Sequence, residues 1–123
     1  LKRIISKADI FIQNLLPGTL KKYALDSSTL RKKNKKLITC DISGYGKSGT
    51  YAKNKAYDLL IQAETGLCSL TGDEKKPGRV GVSVCDISCG LNAYTLILEA
   101  LIKRESSGLG SSIEISLFDK FDP

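Results

Sequence analysis

The sequence predicts an α/β fold in which helices flank a mostly parallel sheet. Short runs rich in β-branched residues alternate along the chain with stretches of helical periodicity, which is the order expected for parallel strands joined by helical connections. The chain has 123 residues, of which 41% are hydrophobic and 26% charged, as in one globular domain. No apolar run approaches the ~20 residues that cross a bilayer. We therefore expect a single core and no membrane partner.

The first part of the chain predicts a helix end, a strand and a turn. Residues 1–8 carry apolar side chains at helical spacing, as in the last turns of a helix that begins upstream. Residues 9–14, Asp-Ile-Phe-Ile-Gln-Asn, predict a short buried strand, which Pro17-Gly18 ends. Residues 19–23 predict a short helical turn.

A second helix and strand follow. Residues 26–28, Asp-Ser-Ser, offer N-caps for a short basic helix that ends near Lys33. The β-branched run at 37–43 predicts the next strand, bounded by turn residues. The polar and glycine-rich residues 44–54 predict a loop after that strand.

Two longer helices and a last strand complete the pattern. Residues 57–70 predict one helix that Gly66 weakens in its middle. Its apolar face would consist of Leu60, Ala63, Leu67 and Leu70. Residues 87–103 predict the clearest helix, with Asp86 as its N-cap. Its apolar face would consist of Ile87, Leu91, Tyr94, Leu98 and Leu101. The alternating residues 112–117 predict the last strand.

Histidine and methionine are both missing from the sequence. It contains no histidine, so a Ser-His-Asp triad, a Cys-His dyad or a histidine-based zinc site cannot be complete in these residues. The cysteines, Cys40, Cys68, Cys85 and Cys89, form no C-x-x-C pair, and we expect small buried hydrophobes and no metal site. There is also no methionine, which indicates an internal fragment or a processed chain.

The formal charge of +6 comes from 19 basic and 13 acidic residues, and the basic residues occur in clusters. Such clusters indicate an anionic partner, which could be nucleic acid, an acidic membrane or a phosphate-bearing ligand, or else a solvated helix face. A nucleic-acid groove would also need base-stacking aromatics along the basic residues. The tyrosines are scattered instead, so this alternative is disfavoured.

The glycine-rich loop resembles two phosphate-binding motifs, and its context argues against both. Residues 44–49 match G-x-G-x-x-G, but the following residues 50–55 are polar and lack the apolar face of the helix that the motif requires. Gly46-Lys47-Ser48 matches the end of a Walker A motif. That motif requires glycine at position 41, where this chain has Asp41, whose charge would repel phosphate.

Several blocks in a fixed order do match a family. They are residues 8–14, 17–20, 42–46, 57–63, 65–67, 70–72, 79–83, 86–88 and 90–91. In this order the chain closely resembles the class III CoA-transferases, the family that also includes α-methylacyl-CoA racemases. The resemblance runs nearly end to end.

The resemblance implies a fold and an assembly. Members have a large Rossmann-like domain and a smaller domain, and two subunits interlock. Residues 1–123 would therefore be a central part of the large domain, without the small domain. We expect the full-length protein to be a homodimer and this fragment to be inactive by itself.

The resemblance also implies an activity, which is transfer of coenzyme A from an acyl-CoA donor, such as succinyl-CoA, to a carboxylic acid acceptor (an EC 2.8.3 reaction). The family's nucleophile is an aspartate before a long helix, with glycine one turn on, which corresponds to Asp86 and Gly90. The helix N-terminus would lower the pKa of Asp86 and keep it ionised. The alternative is that Asp86 only caps the helix.

Contacts to coenzyme A, by the same resemblance, fall after the first strand and before the helix that begins near residue 57. They correspond to Asn14, Leu15, Leu16, Lys22, Asn54, Lys55, Ala56 and Tyr57. Lys22 stands where relatives often carry arginine, so a bidentate phosphate contact would become a point-charge contact. The alternative for the lysines is that they are solvated.

Racemisation is the first alternative activity. The racemase branch is expected to pair a histidine with the aspartate, and that histidine corresponds to Tyr57 here. Tyrosine, with a reference pKa of about 10, is a poor base at neutral pH, which favours transfer. A basic nucleic-acid-binding domain is the second alternative. The family implies an intracellular location, cytoplasmic or mitochondrial.

Overall fold

Three parallel strands form the sheet in the computed structural model, which describes residues 1–120. The strands are β1 (Ile10–Gln13), β2 (Ile38–Ser43) and β3 (Ser112–Ser116), in the order β1-β2-β3. Strand β2 lies between the other two, and its first four residues are all buried. The predicted parallel α/β arrangement is confirmed.

Helices connect the strands and cover both faces of the sheet. The α-helices are α1 (Lys2–Ile5), α2 (Ser27–Lys33), α3 (Asp58–Glu64), α4 (Leu67–Thr71) and α5 (Val84–Ser107), and 3-10 turns span Leu20–Tyr23 and Phe118–Lys120. Helix α5 packs on β2 and β3, and α2 packs on β2 from the opposite face. All three strands therefore end at one edge, between two layers of helix.

The buried side chains form two clusters, one on each face of the sheet. The larger cluster, between the sheet and α5, consists of Ile38, Cys40, Cys89, Ala93, Ile97, Ala100, Ile113 and Ile115. The smaller cluster, on the α2 face, consists of Ile5, Leu25, Leu30 and Leu37. Cys40, Cys85 and Cys89 are buried as predicted, whereas Cys68 is only partly buried.

The buried strand predicted at residues 9–14 is only partly buried. Within residues 1–120, β1 pairs with β2 alone, so it lies at an edge of the sheet. Ile12, whose side chain points to a face of this edge strand, is 54% exposed. The short helix predicted after residues 26–28 is confirmed as α2, with the Asp26 side chain accepting a hydrogen bond from the Thr29 amide at 3.1 Å.

The single helix predicted over residues 57–70 is wrong. The chain turns at Gly66, which adopts φ of +78°, and this left-handed conformation separates α3 from α4. The predicted apolar face is also wrong, since Leu60 and Leu70 are exposed. Ile61 and Gln62 are the buried residues of α3. A break in the helix changes which side chains share a face, so one helical period cannot describe both halves.

Helix α5 begins earlier and buries a different face than predicted. Ser83 is its N-cap, so Asp86 lies in the first turn and is not the cap. The side chains of the predicted apolar face are largely exposed, namely Ile87, Leu91, Tyr94 and Leu98. The face against the sheet carries mainly small side chains, namely Cys85, Cys89, Ala93, Ile97 and Ala100. Small residues allow the helix axis to lie close to the strands.

The length and composition of α5 meet the requirements for crossing a membrane, although the sequence contains no unbroken apolar run of ~20 residues. The helix has 24 residues and a mean hydropathy of 1.3 over its most apolar part, which would suffice to cross a membrane. In the structure this helix packs on strands β2 and β3 of the sheet.

At the end of α5, Arg104 forms an ion pair with Asp9 at 3.1 Å and donates to the Lys36 carbonyl oxygen at 3.1 Å. These contacts join the end of α5 to the starts of β1 and β2.

Replacing Asp26 by alanine tests the cap of α2. Hydrogen bonds from Ser28 and Thr29 lower the pKa of Asp26 to about 2. We expect Asp26→Ala to destabilise α2 by about 1 kcal/mol at neutral pH. Hydrogen exchange of the α2 amides in the full-length protein should then be roughly fivefold faster.

The pH dependence of that difference follows from the lowered pKa. The stabilisation by Asp26 is complete above its unfolded value of 3.8 and is lost as the pH falls towards 2. The difference in exchange between wild type and variant should therefore shrink below pH 3.8. A difference that stays constant down to pH 2 would contradict the cap.

Candidate active site

A cleft opens at the carboxyl edge of the sheet, on the side of α5. Its volume is about 330 Å³, and it is lined by Asn14, Ile42, Ser43, Gly44, Ala56, Asp86, Cys89, Gly90 and Leu117. Asn14, Gly44 and Leu117 each follow the last residue of a strand. Ligands of open parallel sheets bind outside the carboxyl ends of the strands. This cleft is therefore the candidate active site.

Among residues 1–120, Asp86 is the one carboxylate that lines this cleft. It lies in the first turn of α5 and is exposed. Gly90 follows one turn later, and a Cβ added there would meet no described atom within 4 Å. The glycine thus leaves open space beside the carboxylate, where a substrate can approach.

Asp58 on α3 binds the N-terminus of α5 from outside that helix. Its Oδ1 accepts hydrogen bonds from the backbone amides of Cys85, at 2.8 Å, and Asp86, at 3.1 Å. Its Oδ2 accepts from Gln62 Nε2 at 2.6 Å, and Gln62 Oε1 accepts from the Val80 amide at 2.8 Å. Gln62 is 1% exposed. The α3 helix therefore holds both the start of α5 and the segment before it.

Burial raises the pKa of Asp86, and the negative charge of Asp58 raises it further. The lowered pKa expected from the sequence is therefore wrong. Burial is the larger cause. Asp58 adds to it because it already accepts from two of the first amides of α5, so a negative charge occupies the positive end of this helix. A carboxylate with a raised pKa is more basic, which suits a nucleophile.

The neighbouring thiol is unsuited to the same task. Burial, with the charges of Asp58 and Asp86, raises the pKa of Cys85 to about 11. The thiolate is the nucleophilic form of cysteine, and it is scarce at neutral pH when the pKa is this high. Between Asp86 and Cys85, the carboxylate is therefore the nucleophile candidate.

Gly44 allows the chain before α3 to approach the sheet. A Cβ built on Gly44 would overlap the Cβ of Ala56. Any other residue at position 44 would push Ala56 out of the cleft lining. The loop between them, residues 44–57, contains no helix, and Lys47 in it is paired with Asp41 at 2.8 Å. Both facts agree with the sequence argument against a dinucleotide or Walker A site here.

Of the residues that the resemblance assigned, the structure brings Asn14 and Ala56 together with Asp86 in one cleft. Leu15 and Leu16 line a second cleft of about 340 Å³ on the α2 side of the same edge. The other four are exposed and line neither cleft, namely Lys22, Asn54, Lys55 and Tyr57. A ligand that contacted all eight would have to extend well beyond the cleft at Asp86.

Two functional candidates were not found by sequence reasoning, Asp58 and Gln62. They are spaced i, i+4, so they lie on the same side of α3. Polar residues at that spacing beside the buried Ile61 were the available indication that this helix holds a polar network. Their partners lie 18 to 28 residues further along the chain, which the spacing alone does not predict.

Replacing Asp58 by asparagine tests the electrostatic link between the two carboxylates. The amide oxygen can still accept from the backbone amides, whereas the negative charge is lost. We expect the pKa of Asp86 to fall in Asp58→Asn and to stay above its ordinary value, because burial is the larger cause of the shift.

The measurement is an NMR titration of the Asp86 carboxyl carbon in the full-length protein. Asp73→Asn, which removes an exposed carboxylate from the loop after α4, is the matched control and should leave the titration unchanged. An unchanged or higher Asp86 pKa in Asp58→Asn would contradict this electrostatic link.

Comparison with known proteins identifies the family. The profile described as CoA-transferase family III matches residues 1–121. The chain is 40% identical over 119 residues to succinate–glutarate CoA-transferase of Agrobacterium fabrum, which covers 96% of this chain and 30% of that protein. It is 34% identical over 117 residues to mouse succinyl-CoA:glutarate CoA-transferase, covering 94% of this chain and 27% of that protein.

A solved structure agrees with the sequence matches. A CAIB/BAIF family protein from Brucella suis superposes with a TM-score of 0.92 at 39% identity, over 98% of this chain and 32% of that one. The chain thus spans about a third of the length of these relatives. With the family profile matched along nearly all of its length, the chain belongs to CoA-transferase family III.

Proposed function

We propose that the protein containing this chain transfers coenzyme A from an acyl-CoA to a carboxylic acid, with Asp86 as the nucleophile. The observation that carries the proposal is the position of Asp86. It is a carboxylate with open space beside it, in the cleft where the carboxyl ends of three parallel strands meet. Membership of the family supplies the class of reaction.

The reaction proceeds through covalent intermediates on the Asp86 carboxylate. An Asp86 oxygen attacks the thioester carbonyl of the donor, which forms a mixed anhydride and releases the CoA thiolate. The thiolate attacks the aspartyl carbonyl, which forms an aspartyl-CoA thioester and releases the donor acid. The acceptor acid then repeats these two steps in reverse and leaves as the new acyl-CoA. Each step exchanges one acyl bond for another, so no oxidant or reductant is required.

Three features of the cleft support this chemistry. The raised pKa of Asp86 makes its carboxylate a stronger nucleophile once it is ionised. The space at Gly90 admits the thioester. Asn14 lines the same cleft, and a side-chain amide of this kind can donate to a carbonyl oxygen.

The remaining residues assigned to coenzyme A fit its size. Coenzyme A is a long molecule with phosphates at the end far from its thiol, so its binding residues extend beyond the cleft that holds the thioester. Leu15 and Leu16, about half exposed, offer apolar contacts on the rim. The exposed Lys22 and Lys55 offer cations to the phosphates, and Asn54 and Tyr57 border Lys55 and Ala56.

We propose a dicarboxylic acid as acceptor and succinyl-CoA as donor. The support is the 40% identity to a relative named for succinate and glutarate and the 34% identity to one named for succinyl-CoA and glutarate. Tyr57, the position that corresponds to the racemase histidine, is 66% exposed and does not line the cleft of Asp86. This placement favours transfer over racemisation.

The assembly and the location belong to the same proposal. Large apolar side chains cover the outer face of α5, where Leu91 and Tyr94 are 63% and 62% exposed. Such a face is expected to be covered in the full-length protein. We propose that the second subunit of an interlocked homodimer packs on this face of α5. The location that suits an acyl-CoA substrate is intracellular, cytoplasmic or mitochondrial.

Replacing Asp86 by asparagine tests the nucleophile. Asparagine has nearly the same shape but is a poor nucleophile, so we expect the rate of CoA transfer from succinyl-CoA to glutarate to fall at least about a thousandfold. The binding of CoA, measured by calorimetry, should change little because the carboxylate acts on the thioester.

Asp73→Asn is the control, since it removes one negative charge from an exposed loop. It should transfer CoA at the wild-type rate. Turnover by Asp86→Asn within a few-fold of wild type would rule out the covalent role of Asp86.

A further inference from the structure

A buried carboxylate lies close to the candidate active site without lining its cleft. Asp41, on β2, is 7% exposed and faces the α2 side of the sheet. Its Oδ1 accepts from Gln13 Nε2 at 2.9 Å, and its Oδ2 accepts from Ser27 Oγ and Lys47 Nζ, both at 2.8 Å. Burial alone would raise the pKa of Asp41, but these donors and the Lys47 charge hold it below its ordinary value. The carboxylate is therefore ionised and fully engaged.

The three donors belong to three different segments. Gln13 is the last residue of β1, Ser27 begins α2, and Lys47 lies in the glycine-rich loop after β2. Lys47 also forms an ion pair with Glu114 on β3 at 2.7 Å. Asp41 thus joins β1, β2 and α2 to the loop that leads towards Ala56, and Lys47 extends this network to β3.

Gln13 connects Asp41 to residues 14–16, the first of the two segments that are predicted to bind CoA. Its Nε2 is bound to Asp41, which fixes the orientation of the side-chain amide. Its Oε1 then accepts from the Leu15 backbone amide at 2.7 Å. The chain after β1, which includes Asn14 and Leu16, is held in a turn by this pair of bonds.

Lys47 holds the second segment, the loop of residues 44–56, against the sheet. The ammonium group reaches back from the loop over the edge of the sheet to Asp41 and Glu114. The loop is further held where the Gly46 amide donates to Ser43 Oγ at 3.1 Å and where Ala56 contacts Gly44. Among these contacts the lysine supplies the charged ones, to Asp41 on β2 and to Glu114 on β3.

We propose that Asp41 and Lys47 are positioning residues for acyl-CoA. They hold the segment 14–16 and the loop 44–56 so that Asn14 and Ala56 line one cleft with Asp86. Asp41 and Lys47 do not line that cleft themselves. The proposal rests on the proposed function, because it assigns acyl-CoA as the ligand of these segments. It concerns binding and leaves the nucleophilic step to Asp86.

Steady-state kinetics of the full-length protein test this role with three lysine variants. Lys47→Met keeps the length of the side chain and removes its charge, and the KM for succinyl-CoA should rise about tenfold with kcat within about twofold. Lys47→Arg keeps a cation that can reach both carboxylates and should restore most of the affinity. Lys53→Met, at an exposed lysine of the same loop, should match wild type.

Hydrogen exchange gives a readout that does not depend on activity. In Lys47→Met the backbone amides of Leu15 and Gly46 should exchange faster than in wild type, and in Lys53→Met they should not. Glu114→Gln, which removes one of the two carboxylates on Lys47 and leaves Asp41 paired, should show smaller changes in the same direction. If Lys47→Met does not fold, hydrogen exchange in Glu114→Gln tests the positioning role instead.

The outcomes separate this inference from the proposed function. Unchanged KM and unchanged exchange in Lys47→Met would overturn the positioning role, and so would a fall in kcat at constant KM. A wild-type protein that transfers no CoA would overturn the proposed function and the ligand assigned here. Faster exchange at Leu15 and Gly46 would in that case still establish that Lys47 holds both segments.

Discussion

Burial of an ionised carboxylate in the second half of the central strand is the constraint on which the active-site architecture depends. A buried charge is strongly destabilising unless it is paired and hydrogen-bonded. Asp41 meets this requirement with donors from β1, α2 and the glycine-rich loop, so these segments must converge on it. The loop is thereby brought over the edge of the sheet, where Ala56 can contact Gly44. The position of the cleft follows from this convergence.

A second carboxylate, Asp58, determines the environment of the nucleophile candidate. It satisfies the amides of Cys85 and Asp86, which a helix N-terminus would otherwise leave to solvent or to its own cap. The same contact places a negative charge near Asp86. Burial and this charge raise the pKa of Asp86, whereas hydrogen bonds and Lys47 lower that of Asp41. Two aspartates at the same sheet edge thus differ in role because their partners differ.

Sequence patterns predicted the elements that depend on neighbouring residues. They did not predict the features that depend on contacts between distant elements. The strands at 37–43 and 112–117 and the cap at Asp26 depend on neighbouring residues, and the structure contains them. The buried face of α5 was missed because hydrophobic size favours Leu91 and Tyr94, whereas close packing on the sheet selects Cys89 and Ala93. Only part of the candidate active site was predicted from the sequence, because its residues are joined by contacts between distant parts of the chain. Asp86 was assigned through resemblance, but its partner Asp58 lies 28 residues away, and Asp41 was considered only as an obstacle to phosphate.

The covalent role of Asp86 is the central claim, and mass spectrometry tests it most directly. The full-length protein is incubated with succinyl-CoA, digested, and analysed for a peptide that contains Asp86. The account predicts a peptide whose mass is increased by a CoA thioester on Asp86 and which reverts when the acceptor acid is added. An adduct on a different residue, or none while CoA transfer proceeds, would contradict it.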